Sequence, residues 1–408
     1  MGDCSDARAG ANRDSSIRIL LYSHDSWGLG HLRRNLTLAT ALVDRFPSAD
    51  VVIATGSPCA TQFPLAPRIE VVKLPSISKN EVGAYVPRTL GSSLDRVLAL
   101  RRGLLFEIWR TFAPHLLVVD HQVLGLNGEI RALLTEARQR GTRTILGLRD
   151  IVDAPSHVVR EWDSPDIRWA FEEGYDRICV YGDSQVFDTR SEYRLPACVA
   201  ARTEFTGYVV RERKGEHAWA RQRRHVLVTT GGGEDGSKRI ERYLDALATA
   251  PFDWETTIVT GPLMGLEKAR AIKRRAAGLT GVQVRRFHAD LPHLMRASSA
   301  VVAMCGYNVS AEILQSRRPA IFLPRVFPRA EQLVRAARLS SLGLSRYLVD
   351  PRPDELRAQI EATLECAPGA RVEPSLDGCR RFCDIAADVL GEAAPASVAP
   401  PHASWGAS

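Results

Sequence analysis

The sequence predicts a two-domain α/β protein, in which two Rossmann-like, doubly wound parallel sheets face a shared cleft. Short apolar runs alternate with amphipathic helical stretches along most of the 408 residues. That order is typical of parallel sheets covered on both faces by helices. The alternation also starts twice, near residue 17 and near residue 225, each time with a buried strand followed by a glycine-rich turn. The double start predicts two separate domains.

The N-terminal half contains six predicted strands and three predicted helices. The strands are Ile17–Ser23, Val51–Thr55, Ile69–Leu74, Leu116–Asp120, Thr142–Leu148 and Arg177–Gly182. The helices are expected at 31–45, 91–112 and 127–140. Strands that alternate with helices in this way form βαβ units.

The C-terminal half repeats this pattern after a charged stretch that has no strand periodicity. Its predicted strands are His225–Thr230, Thr256–Thr260, Val282–Phe287, Ala300–Met304, Pro319–Leu323 and Arg346–Val349. Its first predicted helix starts at Ser237. Further helices are expected at 266–277, 290–297, 308–316, 329–341 and 353–365. We therefore expect a disordered start at 1–15, a first domain at 16–208, a linker at 209–223, a second domain at 224–375, a helix at 376–392 and a disordered tail at 393–408.

Composition limits the classes of function. The net charge of +7 fits phosphorylated ligands, an anionic membrane or nucleic acid, or simply a solvated basic surface. No nucleic-acid-binding motif is present, so we expect no nucleic-acid partner. None of the eight cysteines forms a CxxC pair, which indicates reduced thiols and no metal site.

The same reasoning predicts a cytoplasmic protein. The first residues lack an apolar signal core, and no apolar run reaches the length of about 20 residues that a membrane span needs. Peripheral attachment to the inner membrane stays open. Arg101, Arg102 and Arg110 on the predicted helix 91–112 could meet anionic lipid, or could lie on a solvated helix face.

The first candidate site directly follows the first strand. Gly28 and Gly30 allow a tight turn, and His31 opens the next helix, where an imidazole could act as a general base. The alternative is an ordinary strand–helix turn capped by histidine. A dinucleotide site is weaker, because Arg33 stands where GxGxxG needs its last glycine.

Polar residues also end two later strands of the first domain. Asp120 and His121 follow one strand, and Arg149 and Asp150 follow the next. Each of these pairs could be structural. Because ligands bind at the carboxyl ends of parallel strands, we group Asp120 with His31 as catalytic candidates.

The second candidate site is the triple glycine Gly231, Gly232 and Gly233, between a strand and a helix. Backbone N–H groups of such a loop can surround phosphate oxygens. No Lys-Ser/Thr pair follows, so the loop is not a Walker A motif. A plain flexible turn is the alternative.

The third candidate site lies between a buried strand and the predicted helix at 308–316. Gly306 precedes this helix, and Asn308 or Ser310 is expected to cap it. Glu312 on its first turns could accept both hydroxyls of a ribose, or could only stabilise the helix start. Further on, the pair Glu331–Gln332 opens the next helix and could hydrogen-bond a sugar or remain solvated.

These motifs resemble glycosyltransferase family 28, whose best-known member transfers N-acetylglucosamine from UDP onto a lipid-linked muramyl pentapeptide. The matching positions are Gly306 and Glu312, Pro319 and Pro324, and Glu331–Gln332. The triple glycine sits where the family has its second glycine-rich loop, and the segment 28–31 resembles the first. The resemblance covers both domains in motif order, and it implies the GT-B fold. No close match extends over 75–115.

The resemblance also implies roles for individual residues. Glu312 would hold the ribose, the backbone of His288 would face the base, and Gln332 would touch the donor sugar. Gly232, Gly233 and the helix near Ser310 would meet the diphosphate. His31 would deprotonate an acceptor hydroxyl. The expected enzyme is a hexosyltransferase that uses a nucleotide-diphosphate sugar, with UDP as the expected nucleotide, and needs no cofactor or metal. The acceptor could be a glycan, a lipid or a small molecule.

Two alternatives remain open. The segment 30–39 also resembles the GHxxRxLxLA signature of the nucleotide-sugar hydrolase of pseudaminic acid synthesis, which has the same fold and uses water as acceptor. A transferase needs an acceptor groove in the first domain, whereas a hydrolase needs only a water molecule beside His31. The other alternative is a nucleotide-sugar-binding protein without catalysis.

Overall fold

The structure, a computed structural model, describes residues 16–24, 29–80, 84–211, 224–288, 290–366 and 369–391. The predicted disordered ends and most of the predicted linker lie outside the described residues. So does Gly28 of the first glycine-rich turn.

The first domain is built on a seven-stranded parallel sheet. Its strands are β1 (Arg18–Ser23), β2 (Asp50–Thr55), β3 (Ile69–Lys73), β6 (Leu116–Asp120), β7 (Arg143–Arg149), β8 (Arg177–Tyr181) and β9 (Thr203–Phe205), in the spatial order β3-β2-β1-β6-β7-β8-β9. A separate antiparallel hairpin joins β4 (Ile77–Lys79) to β5 (Tyr85–Pro87). All six strands predicted for this half are present.

The second domain contains a six-stranded parallel sheet. Its strands are β10 (His225–Thr229), β11 (Glu255–Val259), β12 (Val282–Arg285), β13 (Ala300–Ala303), β14 (Ala320–Phe322) and β15 (Arg346–Tyr347), in the order β12-β11-β10-β13-β14-β15. In both sheets the first strand of the domain lies in the middle, between its second strand and a later one. The loops after β1 and β10 therefore leave the sheets at their topological switch points, where ligands bind in such folds.

Helices cover both faces of each sheet. Those of the first domain are α1 (Gly30–Arg45), α2 (Leu94–Phe112), α3 (Arg131–Arg140), α4 (Pro155–Trp162), α5 (Pro165–Trp169), α6 (Thr189–Glu192) and α7 (Ala197–Ala200). Those that follow are α8 (Ser237–Ala248), α9 (Leu266–Ala276), α10 (Leu291–Arg296), α11 (Tyr307–Ser316), α12 (Glu331–Ser341), α13 (Pro353–Glu365) and α14 (Gly378–Gly391). Helices α4 to α7 and strands β4, β5 and β9 were not predicted. Apart from α4, they have five residues or fewer, too few to show a hydrophobic period.

The expectation that Arg101 on α2 could meet anionic lipid was wrong. Arg101 is fully buried, where its guanidinium binds both carboxylate oxygens of Glu129, with Nε to Oε2 at 2.9 Å and an Nη atom to Oε1 at 2.6 Å. It lies on the inner face of the helix, so it cannot reach a membrane surface. Arg102 and Arg110 are exposed. None of the described helices is both long and apolar enough to cross a membrane.

The C-terminal helix α14 returns to the first domain and packs against α1. It buries Phe382 and Ala386 in a core cluster that includes residues of both domains. Its start is fixed by backbone contact, because the N–H of Gly378 donates to the carbonyl of Tyr208 at 3.2 Å and a Cβ at position 378 would lie 2.5 Å from that oxygen. Residues 209 and 210 of the predicted linker are likewise buried. The chain between the domains is therefore packed at its start.

A buried ion pair joins the two domains. Arg335 on α12 binds Asp150 after β7, with Nε to Oδ2 at 2.9 Å and an Nη atom to Oδ1 at 2.7 Å, and it also donates to the carbonyl of Cys305 at 2.8 Å. Neither side chain is appreciably exposed. Burial favours the neutral guanidine, but the Asp150 carboxylate holds the pKa of Arg335 above its ordinary value. The guanidinium therefore stays charged, and the contact fixes the position of α12 against β7.

We expect Asp150→Ala to lower the free energy of unfolding by about 3–5 kcal/mol, because it leaves the Arg335 guanidinium buried without a counter-ion. Urea denaturation followed by circular dichroism measures the change. Glu192→Ala is the matched control, since Glu192 pairs with Arg338 across the same interface but both side chains are partly exposed. Its effect should stay below about 1 kcal/mol. Equal losses in the two variants would contradict a special role for the buried pair.

Candidate functional site

Three helices point uncapped N-termini at the gap between the domains. The residues before α1, α8 and α11 are Leu29, Gly236 and Gly306, and none of these helices has a side-chain hydrogen bond at its cap. The first N–H groups of each helix therefore remain available, and together with the helix dipole they attract anions.

The expectation that Asn308 or Ser310 caps α11 was wrong. Both residues lie inside the helix, which starts at Tyr307, so neither can occupy the cap position. The Asn308 side chain instead donates to the carbonyl of Gly30 in the first domain at 3.1 Å. The Ser310 hydroxyl lies 3.3 Å from the sulfur of Cys305. Asn308 thus ties the start of α11 to the start of α1.

His31 and Asp120 meet in the first domain, as their positions at strand ends predicted. The Nδ1 atom of His31 lies 2.6 Å from Oδ2 of Asp120, and Arg34 donates to both oxygens of that carboxylate at 2.7 Å. Burial would raise the pKa of Asp120, but the charges of Arg34 and His31 outweigh it and lower the pKa to about 2. The ionised carboxylate only accepts hydrogen bonds, so Nδ1 of His31 is the donor to Asp120, and Nε2 is the nitrogen that can act as a base when the ring is neutral.

Arg34 itself is held between two aromatic rings. Its guanidinium carbon lies 5.4 Å from the ring centre of Tyr181 in the first domain and 5.1 Å from that of Tyr307 in the second. Such cation–π contacts stabilise a desolvated guanidinium. Arg34 therefore links the His31–Asp120 pair to the first residue of α11.

Two further imidazoles surround His31. The ring centres of His24 and His121 lie 4.9 and 5.3 Å from that of His31. Burial lowers the pKa of both His24 and His121 well below the ordinary value, and nearby positive charge such as that of Arg149 lowers it further, against the opposing effect of Asp120 on His24. Both rings are therefore neutral near pH 7. His24 was not among the predicted site residues, although it directly follows β1 and so lies at the same edge of the sheet.

The triple-glycine turn requires glycine for steric reasons. Gly231 and Gly233 have φ angles of +67° and +90°, and a Cβ on Gly233 would lie 2.1 Å from the carbonyl oxygen of Thr260. A Cβ on Gly231 would lie 3.2 Å from Val309 on α11. The turn therefore reaches the first turn of the helix that carries Glu312, and the structure brings these two predicted elements together.

Glu312 is buried at the domain interface. One carboxylate oxygen contacts the guanidinium of Arg33, which follows His31 by two residues. The other oxygen, Oε2, has no hydrogen-bond partner among the described residues. A buried carboxylate oxygen without a donor is costly, so this atom is a candidate ligand-binding group.

The other residues that are predicted to bind the sugar nucleotide lie in the second domain. Glu331 pairs with Arg325, and the Gln332 side-chain oxygen accepts from the Arg325 N–H at 3.1 Å. Oε2 of Glu331 and Nδ1 of His288 have no partner in the part of the chain that the structure describes. His288 lies two residues after Arg286. The carbonyl of Arg286 accepts from the N–H of Gly261, and the loop that contains Gly261 packs on the triple glycine. All the predicted site residues that are described thus belong to loops or helix starts at the strand ends.

A cavity of about 340 Å³ opens beside this site in the first domain. It lies between the loop after β6 and the α4–α5 segment. Apolar and polar side chains line it in similar numbers: His121, Gln122, Val123, Leu124, Asn127, Val152, Glu161, Trp162, Ser164, Asp166 and Ile167. Among the described residues, no three His, Cys, Asp or Glu side chains are grouped so that they could hold a metal ion.

Solved structures with the same architecture exist. CalG4, the calicheamicin glycosyltransferase, superimposes with a TM-score of 0.63 at 16% identity and covers 93% of this chain and 100% of its own. MurG of Acinetobacter baumannii gives a TM-score of 0.60 at 14% identity and covers 90% of this chain and 98% of its own. The chain has the GT-B fold. The predicted fold class is therefore confirmed.

Sequence relatives of this GT-B chain are similar over a shorter stretch. UDP-N-acetylglucosamine–N-acetylmuramyl-(pentapeptide) pyrophosphoryl-undecaprenol N-acetylglucosamine transferases of Methylobacterium radiotolerans and Methylorubrum populi are 28% and 30% identical over 161 and 176 residues. The aligned parts are 38% and 40% of this chain, and 42% and 47% of those enzymes. The chain therefore spans less than half the length of these relatives, which confirm the resemblance to family 28. No protein-family profile matches the chain.

Proposed function

We propose that this chain transfers a hexose-type sugar from a nucleotide-diphosphate donor, with UDP as the nucleotide, to an acceptor hydroxyl, with His31 as general base. The observation that carries this proposal is the proximity of the two half-sites. His31, which pairs with Asp120, lies two residues before Arg33 in the chain. Arg33 contacts Glu312 in the other domain. A base and a ribose-binding carboxylate therefore share one gap.

The donor is expected to bind to the second domain. Ribose hydroxyls donate to Glu312, whose Oε2 has no partner among the described residues, and they replace the Arg33 contact at the other oxygen. The diphosphate meets the N–H groups of Gly232 and Gly233 and the uncapped start of α11. Glu331 and Gln332 would bind hydroxyls of the sugar. Backbone donors and a helix dipole can stabilise this charge without a metal ion.

The reaction is a direct displacement at the anomeric carbon. Nε2 of His31 removes the proton of the acceptor hydroxyl as its oxygen bonds to that carbon, and the bond to the diphosphate oxygen breaks. Asp120 stabilises the imidazolium that forms, because its carboxylate already accepts the Nδ1 proton. UDP leaves with its new negative charge on the side of the helix N-termini.

The cavity beside His121 favours transfer over hydrolysis. A hydrolase needs room only for water beside His31, whereas this cavity of about 340 Å³ has space for a substrate portion. It includes the apolar side chains of Val123, Leu124 and Trp162. The curated relatives are named as transferases that act on a lipid-linked acceptor. Both observations support an acceptor larger than water.

We expect His31→Ala to lower turnover by about 100- to 10,000-fold, the usual contribution of a general base, while the affinity for UDP stays the same. Release of UDP from a panel of UDP-sugars, with and without a chelator, measures turnover. His115→Ala is the control. His115 directly precedes β6, at the end opposite Asp120, and its Nδ1 accepts from the backbone N–H of Arg18 at 3.0 Å. Unchanged turnover in His31→Ala would exclude His31 as the base, and loss of activity with chelator would contradict the metal-independent reaction.

We expect Glu312→Ala to weaken UDP binding by about tenfold or more without a change in fold, because the ribose loses a charged hydrogen-bond acceptor. Calorimetric titration with UDP gives the affinity. Glu373→Ala is the matched control, because Glu373 also pairs with an arginine, Arg317, but both side chains are exposed. If UDP binds equally well to both variants, Glu312 does not hold the ribose.

We also propose that α2 attaches the protein to an anionic membrane surface. Leu100, Leu104 and Phe106 of this helix are 48%, 37% and 39% exposed. Arg102 lies on the same helix, as does Arg110, which pairs with Glu107. Apolar side chains flanked by arginine are typical of helices that lie in the lipid headgroup region. Such a position would suit a lipid-linked acceptor.

Sedimentation with vesicles of phosphatidylglycerol and phosphatidylcholine tests this attachment. We expect Leu100→Asp combined with Leu104→Asp to weaken partition onto the vesicles by at least about tenfold. Two apolar contacts with lipid are then replaced by carboxylates, which the anionic lipid repels. The control is Leu266→Asp, which changes an exposed leucine on α9 of the other domain. Equal sedimentation of the α2 variant and wild type would rule out this helix as the membrane contact.

A further inference from the structure

The proposed reaction leaves Arg33 without a role, although this residue spans the gap between the domains. Arg33 stands where a dinucleotide motif needs its last glycine, and it lies on the first turn of α1, two residues after His31. Its guanidinium contacts one carboxylate oxygen of Glu312, and this is its only side-chain hydrogen bond to the described residues. The Arg33 side chain is 32% exposed, against 1% for Arg34. Ligands in the gap can therefore reach it.

The contact between Arg33 and Glu312 is incomplete for an arginine–carboxylate pair. Arg335 binds both oxygens of Asp150 and is fully enclosed. Arg33 binds one oxygen of Glu312, and the other, Oε2, is buried without a partner among the described residues. Bidentate contact is the stronger arrangement for these groups, and partly exposed pairs contribute little. The Arg33 contact can therefore be exchanged for a ligand at low cost.

The starts of α1 and α11 lie against each other in the gap. The side chain of Asn308 donates to the carbonyl of Gly30 at 3.1 Å. Glu312 lies five residues beyond Tyr307, the first residue of α11, which is about 7.5 Å along the helix at 1.5 Å per residue. A nucleotide with its ribose on Glu312 can extend toward the uncapped start of α11 with its diphosphate. Arg33, one turn into α1, lies beside this path.

Binding of the ribose would release Arg33 from its counter-ion. Ribose hydroxyls that occupy both oxygens of Glu312 displace the guanidinium, which then needs another anion. The diphosphate arrives with the same ligand, and guanidinium geometry matches phosphate oxygens. Other arginines near the site already hold carboxylates of their own: Arg34 binds Asp120, and Arg325 binds Asp235 and Glu331.

We propose that Arg33 holds Glu312 in the empty site and moves to the diphosphate of the donor when the ribose takes its place. The inference rests on the proposed function, because both groups belong to the sugar nucleotide. As the bond from the anomeric carbon to the diphosphate oxygen breaks, the new negative charge meets a guanidinium of the first domain as well as the start of α11. The exchange also disfavours free nucleosides, which displace Arg33 and offer it no phosphate.

The test compares UDP with uridine, which has the same base and ribose but no phosphate. Calorimetric titration of the full chain with UDP, and of uridine in competition with UDP, gives both dissociation constants. Arg33→Met should bind uridine at least about threefold more tightly, because the ribose no longer displaces a cation. The ratio of the uridine to the UDP dissociation constant should fall at least about tenfold, because the charge-assisted contact with the diphosphate is lost.

Arg33→Lys should keep part of the preference for UDP, and Arg33→Gln replaces the methionine variant if that does not fold. Arg338→Met is the matched control, because Arg338 pairs with Glu192 across the same interface and both side chains are partly exposed. Its ratio should equal that of wild type. An unchanged ratio in Arg33→Met would overturn the contact with the diphosphate, and an unchanged uridine affinity would overturn the exchange on Glu312. Failure of the wild type to bind UDP would instead count against the proposed function.

Discussion

The geometry of the candidate site depends on the guanidinium of Arg34. It binds both oxygens of Asp120, and Asp120 in turn holds Nδ1 of His31. Without that positive charge, burial would favour a protonated Asp120, which could then donate to His31 and reverse its tautomer. The same guanidinium stacks between Tyr181 and Tyr307, one from each domain. The proposed base is therefore oriented by a contact that also positions the second domain.

Two ion pairs between the domains differ in their accessibility to a ligand. Arg335 and Asp150 are fully enclosed, so their contact fixes how the domains meet. Arg33 and Glu312 lie where the proposed ribose binds, and Arg33 is about one-third exposed. A sugar nucleotide can replace the second contact without disturbing the first. Donor binding would then free Arg33, which is only two residues from His31, and thereby couple occupancy of the second domain to the charge near the base.

Much of the fold and of the candidate site follows from local sequence. The predicted start of the first helix at His31 differs from the observed start at Gly30 by one residue, and the triple glycine does form a turn with positive φ angles. Such features depend on neighbouring residues only. The capping role predicted for Asn308 failed because the helix starts one residue before it, so its amide is drawn to the first domain. The pairs Arg34–Asp120 and Arg335–Asp150 were not predicted, since 86 and 185 positions separate their members.

The sequence by itself determined two doubly wound sheets and the loops that carry chemistry, because hydrophobic periodicity and glycine turns are encoded by residues close in the chain. Only the tertiary structure decided which charges meet. The order of strands places the ends of β1, β6 and β7 side by side, and so gathers His24 and His121 around His31, with Arg149 hydrogen-bonded to His121. The tertiary structure also buries Arg101. Its position on an amphipathic helix did not show whether the side chain would be buried or exposed. Burial and the distances between remote residues set these interactions, and neither can be calculated from spacing along the chain.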